Sequence, residues 1–362
     1  MDGLSLTTCA TTARPDDLPP LAGMPARRIA AGVVMAAVLL AALPAIGSAR
    51  AQDGPAADAP PAAAERDLAW MERLRRSREA LEWTDEAIRH DWRLQHKLGS
   101  VTWRLLDPAD HVHRVGTREE CRQAFAELEA NGTLPRVTGD AVVLLHGLGE
   151  GRSSMRPLAG HLRSTLGSHV LTFGYASVKA GIDDHAAALA RVVADLPGAR
   201  RISFVGHSLG GLVIRRWHAI AAADDLARVH RVVMLGSPNQ GSDLARMASR
   251  IWGVAATANG AARELVVDWG KVAPTLAVPA CDLGIIAGGK RDESGFSMLL
   301  EGDDDAVVRV EETRLEGADD FLIVPVHHAA MMKHPEVQRA TATFLETGRF
   351  PQVDDAAADP AP

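Results

Sequence analysis

Three short stretches of this chain carry the residue types that covalent catalysis needs, and they follow one another in order. They are Gly206-His207-Ser208-Leu209-Gly210, Gly302-Asp303-Asp304-Asp305-Ala306 and Pro325-Val326-His327-His328. A serine hydroxyl is a weak nucleophile until a base takes its proton, and the base needs a third group to orient it. The developing oxyanion also needs preorganised hydrogen-bond donors. Gly206-x-Ser208-x-Gly210 has the form of a sharp strand-to-helix turn that lifts a serine hydroxyl out of a sheet. Its frame fits that reading. Arg201–Val205 reads as a buried strand, and Leu209, Leu212, Val213, Trp217 and Ile220 recur at helical spacing behind it.

A source of donors lies upstream. Val142–Leu145 reads as a strand running into His146-Gly147-Leu148-Gly149, a glycine-rich turn with free backbone N–H groups. The N–H of Leu148 and the N–H of Leu209 could form a two-donor oxyanion hole, where losing one donor typically costs about 3 kcal/mol of transition-state stabilisation. His146 itself reads as a structural hydrogen-bonding residue. For the orienting acid, residue chemistry leaves Asp303, Asp304 and Asp305 all open, with Asp243 as a rival after the preceding strand. For the base, a last strand over Phe321–Val324 ends at His327 and His328. Adjacent histidines also occur at metal sites, but no cysteine or spaced histidine supports one here, so neither a metal nor a cofactor is expected.

These residues need a frame, and the chain from Gly139 onward supplies one. Ala141–Leu145, His169–Phe173, Ile202–Val205, Val229–Leu235, Leu283–Ala287 and Phe321–Val324 are short apolar runs. Helical patterns over Ser154–Leu166, Asp183–Leu196, Leu209–Ala223 and Pro335–Leu345 fall between or after them. Such alternation predicts an α/β fold, a mostly parallel sheet with helices on both faces. Upstream, residues 67–95 follow a helical pattern with Leu74, Leu81, Ile88 and Trp92 on one side. Val101–Leu106 reads as a strand, 107–110 as a turn, and Thr117–Ala130 as a helix opened by a Thr117-x-x-Glu120 capping box.

At the N-terminus, Arg27-Arg28 precede an uncharged apolar run from Ile29 to Ile46, then Ala49-Arg50-Ala51. This reads as a secretory signal cut after Ala51, with an uncleaved membrane anchor as the alternative. The expected organisation is therefore a signal peptide (1–51), a disordered Ala/Pro/Asp-rich linker (52–65) and an N-terminal helical or α+β extension (66–138). An α/β domain (139–350) with a small lid region at about 243–280 and a disordered tail (351–362) complete it. Export would permit a Cys121–Cys281 disulfide, which two cysteines alone do not establish. The 362 residues are 47% apolar and 23% charged, a globular composition. A net charge of −7, with every basic cluster interleaved by acids, argues against a nucleic-acid partner.

With these motifs in view, the chain resembles the lipase/esterase branch of the α/β-hydrolase superfamily, and especially exported bacterial triacylglycerol-lipase-like proteins. The resemblance covers about residues 139–350. It rests on His146-Gly147-Leu148-Gly149, Gly206-His207-Ser208-Leu209-Gly210, Gly236-Ser237-Pro238-Asn239-Gln240-Gly241-Ser242 and the stretch from Asp305 to His328. It implies an α/β-hydrolase fold with the chain order Ser, Asp, His. Matching the family's Asn-Asp-Gly-Thr-Val-like acid loop to Asp304-Asp305-Ala306-Val307-Val308 assigns the acid to Asp305 and the base to His328. Ala306 stands where the family has glycine, and Val307 where it has threonine. The implied activity is cleavage of carboxylic esters, with an ester or lipid as substrate, at an exported, periplasmic or secreted location. The N-terminal segment could add a membrane association. Acyl transfer, thioester or amide cleavage on the same triad, and a non-catalytic envelope scaffold, are the alternatives.

Overall fold

A computed structural model describes residues 81–250 and 258–351. The expected signal peptide, linker, first part of the 67–95 helix and nearly all of the tail lie outside the described residues.

The first described element departs from expectation. Trp83–Arg89 (β1) and Trp92–Lys97 (β2) are strands of an antiparallel hairpin, where the spacing predicts a helix. The two residues between them, His90 and Asp91, have φ of 48° and 66°, the pattern of a two-residue hairpin turn. Ile88 and Trp92 satisfy the helical spacing yet sit on opposite sides of that turn. Polar residues in β1 also disguise a strand that is buried along its whole length. Asp85 pairs with Arg93, Glu86 with Arg191 and Arg89 with Asp195.

Trp103–Leu106 (β3) and Val112–Gly116 (β4) complete a four-stranded antiparallel sheet in the order β1-β2-β3-β4. Arg118–Ala130 (α1) covers one face, burying Cys121, Phe125 and Leu128 against Ala87, Leu94 and Leu105. The Thr117/Glu120 capping box forms as the sequence predicts. Cys121 and Cys281 are both free thiols.

The six apolar runs that follow become β5 (Gly139–Leu145), β6 (His169–Phe173), β7 (Ala199–His207), β8 (Val229–Leu235), β9 (Asp282–Gly288) and β10 (Asp320–Val324). All pair in parallel, in the order β10-β9-β8-β7-β5-β6. Alternate residues of β5 face opposite cores. Ala141, Val143 and Leu145 pack with Ile182–Ala194 (α3) and Leu209–Ile220 (α4). Val142 and Leu144 pack with Arg156–Thr165 (α2) and the C-terminal helix. The expected lid segment contains Asp243–Ser249 (α5) and Gly260–Val266 (α6). Pro335–Thr347 (α7) closes the fold.

Strand order reverses at β5, whose successor β6 lies on one side and β7 on the other. In parallel α/β sheets the carboxyl ends at such a reversal open a crevice where ligands bind. The His146–Gly149 turn leaves β5 there and Ser208 leaves β7 beside it.

Candidate active site

Ser208 occupies the single residue between β7 and α4, with φ 52° and ψ −119°. A non-glycine residue in that region costs of order 1–3 kcal/mol and persists only where its surroundings hold it. Its N–H donates to Leu235 O at 2.9 Å, which ties the turn to the end of β8. Gly210 allows α4 to press on β5, since a Cβ there would lie 2.6 Å from Leu145 O. Among the described residues, Ser208 Oγ makes no hydrogen bond, so the hydroxyl is uncommitted.

His328 sits beyond the end of β10, its side chain 11% exposed. Its Nδ1 lies 2.6 Å from Asp305 Oδ2, and its backbone N–H donates to Asp305 O at 2.9 Å. Asp305 is fully buried, and its Oδ1 accepts the N–H groups of Val307 (3.0 Å) and Val308 (2.7 Å). Gly236 makes room for the pair: a Cβ there would lie 3.1 Å from both Asp305 Oδ2 and His328 Nδ1. Burial opposes a charge on His328, but the Asp305 carboxylate and its hydrogen bond raise the imidazole pKa above its ordinary 6.5. With Nδ1 committed to the carboxylate, Nε2 is the nitrogen left to act as acceptor.

The other candidates have different partners. Asp303 accepts the N–H groups of Lys290 (2.6 Å) and Arg291 (2.8 Å), and Asp304 those of Ser297 (2.8 Å) and Ala306 (2.7 Å). Asp243 is engaged by Arg309 at 2.5 Å and by Arg246. His327 is exposed and packs on Phe296, with ring centroids 4.0 Å apart. His146 is fully buried. Its Nε2 accepts from Tyr175 N at 3.3 Å, and the Tyr175 hydroxyl donates to His146 O. The two rings stack at 4.1 Å, and burial lowers the His146 pKa, the environment of a neutral structural imidazole.

The turn after β5 brings its backbone to the serine. Gly147 lies so close that a Cβ there would be 3.3 Å from Ser208 Cβ. Within this turn the Gly147 N–H donates to Glu150 Oε2 (3.0 Å) and the Gly149 N–H to Ser177 Oγ (3.1 Å). The Leu148 N–H has no acceptor among the described residues, and neither does the Leu209 N–H at the first position of α4. Four N–H groups at any helix start lack intrahelical partners. Glu150 was not among the residues the sequence singles out. It is a carboxylate four positions after His146 with no motif to mark it, and only the meeting of three loops gives it neighbours.

Residues 142–358 match the model of the alpha/beta hydrolase family. The chain belongs to that family. Among solved structures, it is similar to the mature form of a Bacillus licheniformis lipase, with 21% identity, 58% of this chain and 91% of the other covered, and a TM-score of 0.46. It is also similar to a thermophilic esterase from Thermogutta terrifontis, with 16% identity, 59% and 92% coverage and a TM-score of 0.42. No curated protein matches it. Among the described residues no helix is long and apolar enough to cross a membrane, and no group of His, Cys, Asp or Glu is placed to hold a metal ion.

Proposed function

We propose that this alpha/beta hydrolase is a serine hydrolase that cleaves carboxylic esters. The observation that carries the reading is the Asp305–His328 pair, 2.6 Å apart, whose imidazole lies 4.7 Å from the ring of His207, the residue before a serine held at φ 52° on a strand-to-helix turn. Ser208 Oγ would attack the ester carbonyl as His328 Nε2 takes its proton. Asp305 would hold the tautomer and stabilise the imidazolium. The free N–H groups of Leu148 and Leu209 would receive the oxyanion. His328 would then return the proton to the departing alkoxide, leaving an acyl-serine. Water, deprotonated by His328, would release the acid and restore the serine.

Substrate selection would fall to α5 and α6, which lie in the chain between the Gly236–Ser242 loop and β9 and would act as a small lid over an acyl chain. The reading extends to the N-terminal residues as a secretory leader, so that the enzyme would act outside the cytoplasm or at the envelope.

An active-site fluorophosphonate tests the nucleophile. We expect wild type to label and Ser208→Ala not to label. An unlabelled wild type, under conditions that label a known esterase, overturns the enzyme reading. Equal labelling of Ser208→Ala overturns the assignment of the nucleophile. A panel of p-nitrophenyl esters of rising chain length then defines the acyl pocket.

A further inference from the structure

The mechanism proposed above, on which this inference rests, leaves Glu150 without a part, although its carboxylate stands where three loops of the site meet. Oε2 accepts the Gly147 N–H at 3.0 Å, from the turn that carries Leu148, and the Ser154 hydroxyl at 2.9 Å. The same oxygen faces His207 Nδ1 at 3.3 Å. The other ring nitrogen of His207, Nε2, lies 3.2 Å from the backbone oxygen of His328, and the two rings are 4.7 Å apart. His207 is the residue immediately before the serine, and its side chain is almost wholly buried. A single carboxylate thus reaches the donor turn directly, and the nucleophile turn and the histidine loop through one imidazole.

We propose that Glu150 is a positioning residue. It fixes the His146–Gly147 peptide, the unit immediately before the one that carries the Leu148 N–H, so that this N–H stays free for the oxyanion, and through His207 it fixes the loop that presents His328. An unrestrained turn would let the Leu148 N–H rotate away, and misplacement of a catalytic group by about 1 Å can cost roughly 100-fold in rate.

The charge has a second consequence. Burial alone would raise the Glu150 carboxyl, but His207 and the Gly147 N–H together hold it well below the ordinary carboxylate range, so it is ionised at neutral pH. The groups facing His328 are Asp305 at Nδ1, His207 alongside, and the Glu150 carboxylate beyond it, which favours the protonated imidazole. His327, the adjacent residue, turns away to Phe296.

The test follows the rate of fluorophosphonate labelling from acid to alkaline pH in wild type, Glu150→Gln and Glu150→Ala, with thermal unfolding measured in parallel. In Glu150→Ala the plateau rate should fall about 100-fold or more, the effect of losing one oxyanion donor. Glu150→Gln keeps an oxygen that accepts the Gly147 N–H, so its plateau should stay within roughly tenfold of wild type. Its midpoint should move to lower pH, because the charge that favours protonated His328 is gone. A packing role would move neither the midpoint nor the order of the two variants.

A wild-type plateau in Glu150→Ala, or an unmoved midpoint in Glu150→Gln, overturns the proposal. If Glu150→Ala fails to fold, the Gln midpoint decides alone. Failure of wild type to label, or labelling of Ser208→Ala, overturns the serine-hydrolase reading and this role with it. A labelled wild type with both Glu150 variants unchanged overturns only the role of Glu150.

Discussion

Asp303, Asp304 and Asp305 have the same side chain and consecutive positions, yet their surroundings give them separate work. Asp303 holds the loop after β9 through two backbone N–H groups, and Asp305 reaches His328. Asp304 is wholly buried with Oδ2 lacking a partner, and burial raises its pKa. Replacing Asp305 by Asn should therefore reduce ester turnover by about 10⁴-fold, the scale seen when a triad acid is lost with geometry intact. The pH profile of residual activity carries the sign. His328 must be neutral to accept a proton, and its pKa lies above 6.5, so wild-type activity should be half-maximal above that pH. In Asp305→Asn burial, which lowers the pKa, is opposed only by the Glu150 carboxylate, so the midpoint should move to lower pH than in wild type. Asp304→Asn should behave in the opposite way. It keeps an oxygen for the Ser297 and Ala306 N–H groups and removes a buried charge, so activity should persist and the melting temperature at pH 7 should not fall. A rate loss in Asp304→Asn matching that of Asp305→Asn would reverse the assignment.

The loops and turns show what a sequence can and cannot reveal. The six parallel strands were legible because strands buried on both faces are continuous apolar runs. His169–Phe173 and Val229–Leu235 begin and end where the pattern places them. The serine turn was legible too, because Gly206 answers to the backbone of Gly210 and Gly211 only a few residues on. The hairpin at β1 and β2 was not, because its buried charges find partners up to 106 residues away, and such pairing leaves no local mark. The acid loop lies between these cases. Ala306 has φ of 82°, a left-handed conformation that costs an L-residue roughly 1–2 kcal/mol. Glycine relieves that strain but gives back about 0.5–1 kcal/mol in unfolded-chain entropy. We expect Ala306→Gly to be neutral to stabilising by up to about 1 kcal/mol, read as the denaturant midpoint, with labelling unchanged. The converse holds at Gly210, where a methyl group would meet Leu145 O at 2.6 Å. Gly210→Ala should destabilise by about 1–3 kcal/mol, the usual cost of overpacking, and slow labelling by moving α4 and the Leu209 N–H.

At the scale of the whole molecule, the open question is whether the antiparallel sheet is an appendage or a structural part of the hydrolase. Its strand β1 lies against β6 and α3, and the contacts are polar and buried. Arg93 Nη1 donates to Asp85 Oδ2 (2.8 Å) and to Thr172 O (2.5 Å), and Nη2 donates to Thr172 Oγ1 (2.9 Å). Asp85 in turn accepts from Gln95 (2.7 Å) and from the Gly174 N–H (2.7 Å), while its own N–H donates to Gly174 O (2.8 Å). Neither side chain of the ion pair has any exposed surface. Thr172 and Gly174 stand at the end of β6, so the charge pair of one sheet is completed by the backbone of the other. Deleting one member of such a pair leaves a buried charge unmatched and typically costs about 3–5 kcal/mol. Arg93→Ala should therefore lower the stability of both sheets together. In a chain whose other tryptophans are replaced by phenylalanine, Trp83, Trp92 and Trp103 report on the antiparallel sheet, and labelling of Ser208 reports on the parallel one. In that chain the two signals should be lost at one temperature, and with Arg93→Ala added at one lower temperature. Were the tryptophan transition to come first while labelling survived, the antiparallel sheet would be a separate unit. The Asp85–Arg93 pair would then hold that sheet without supporting the site.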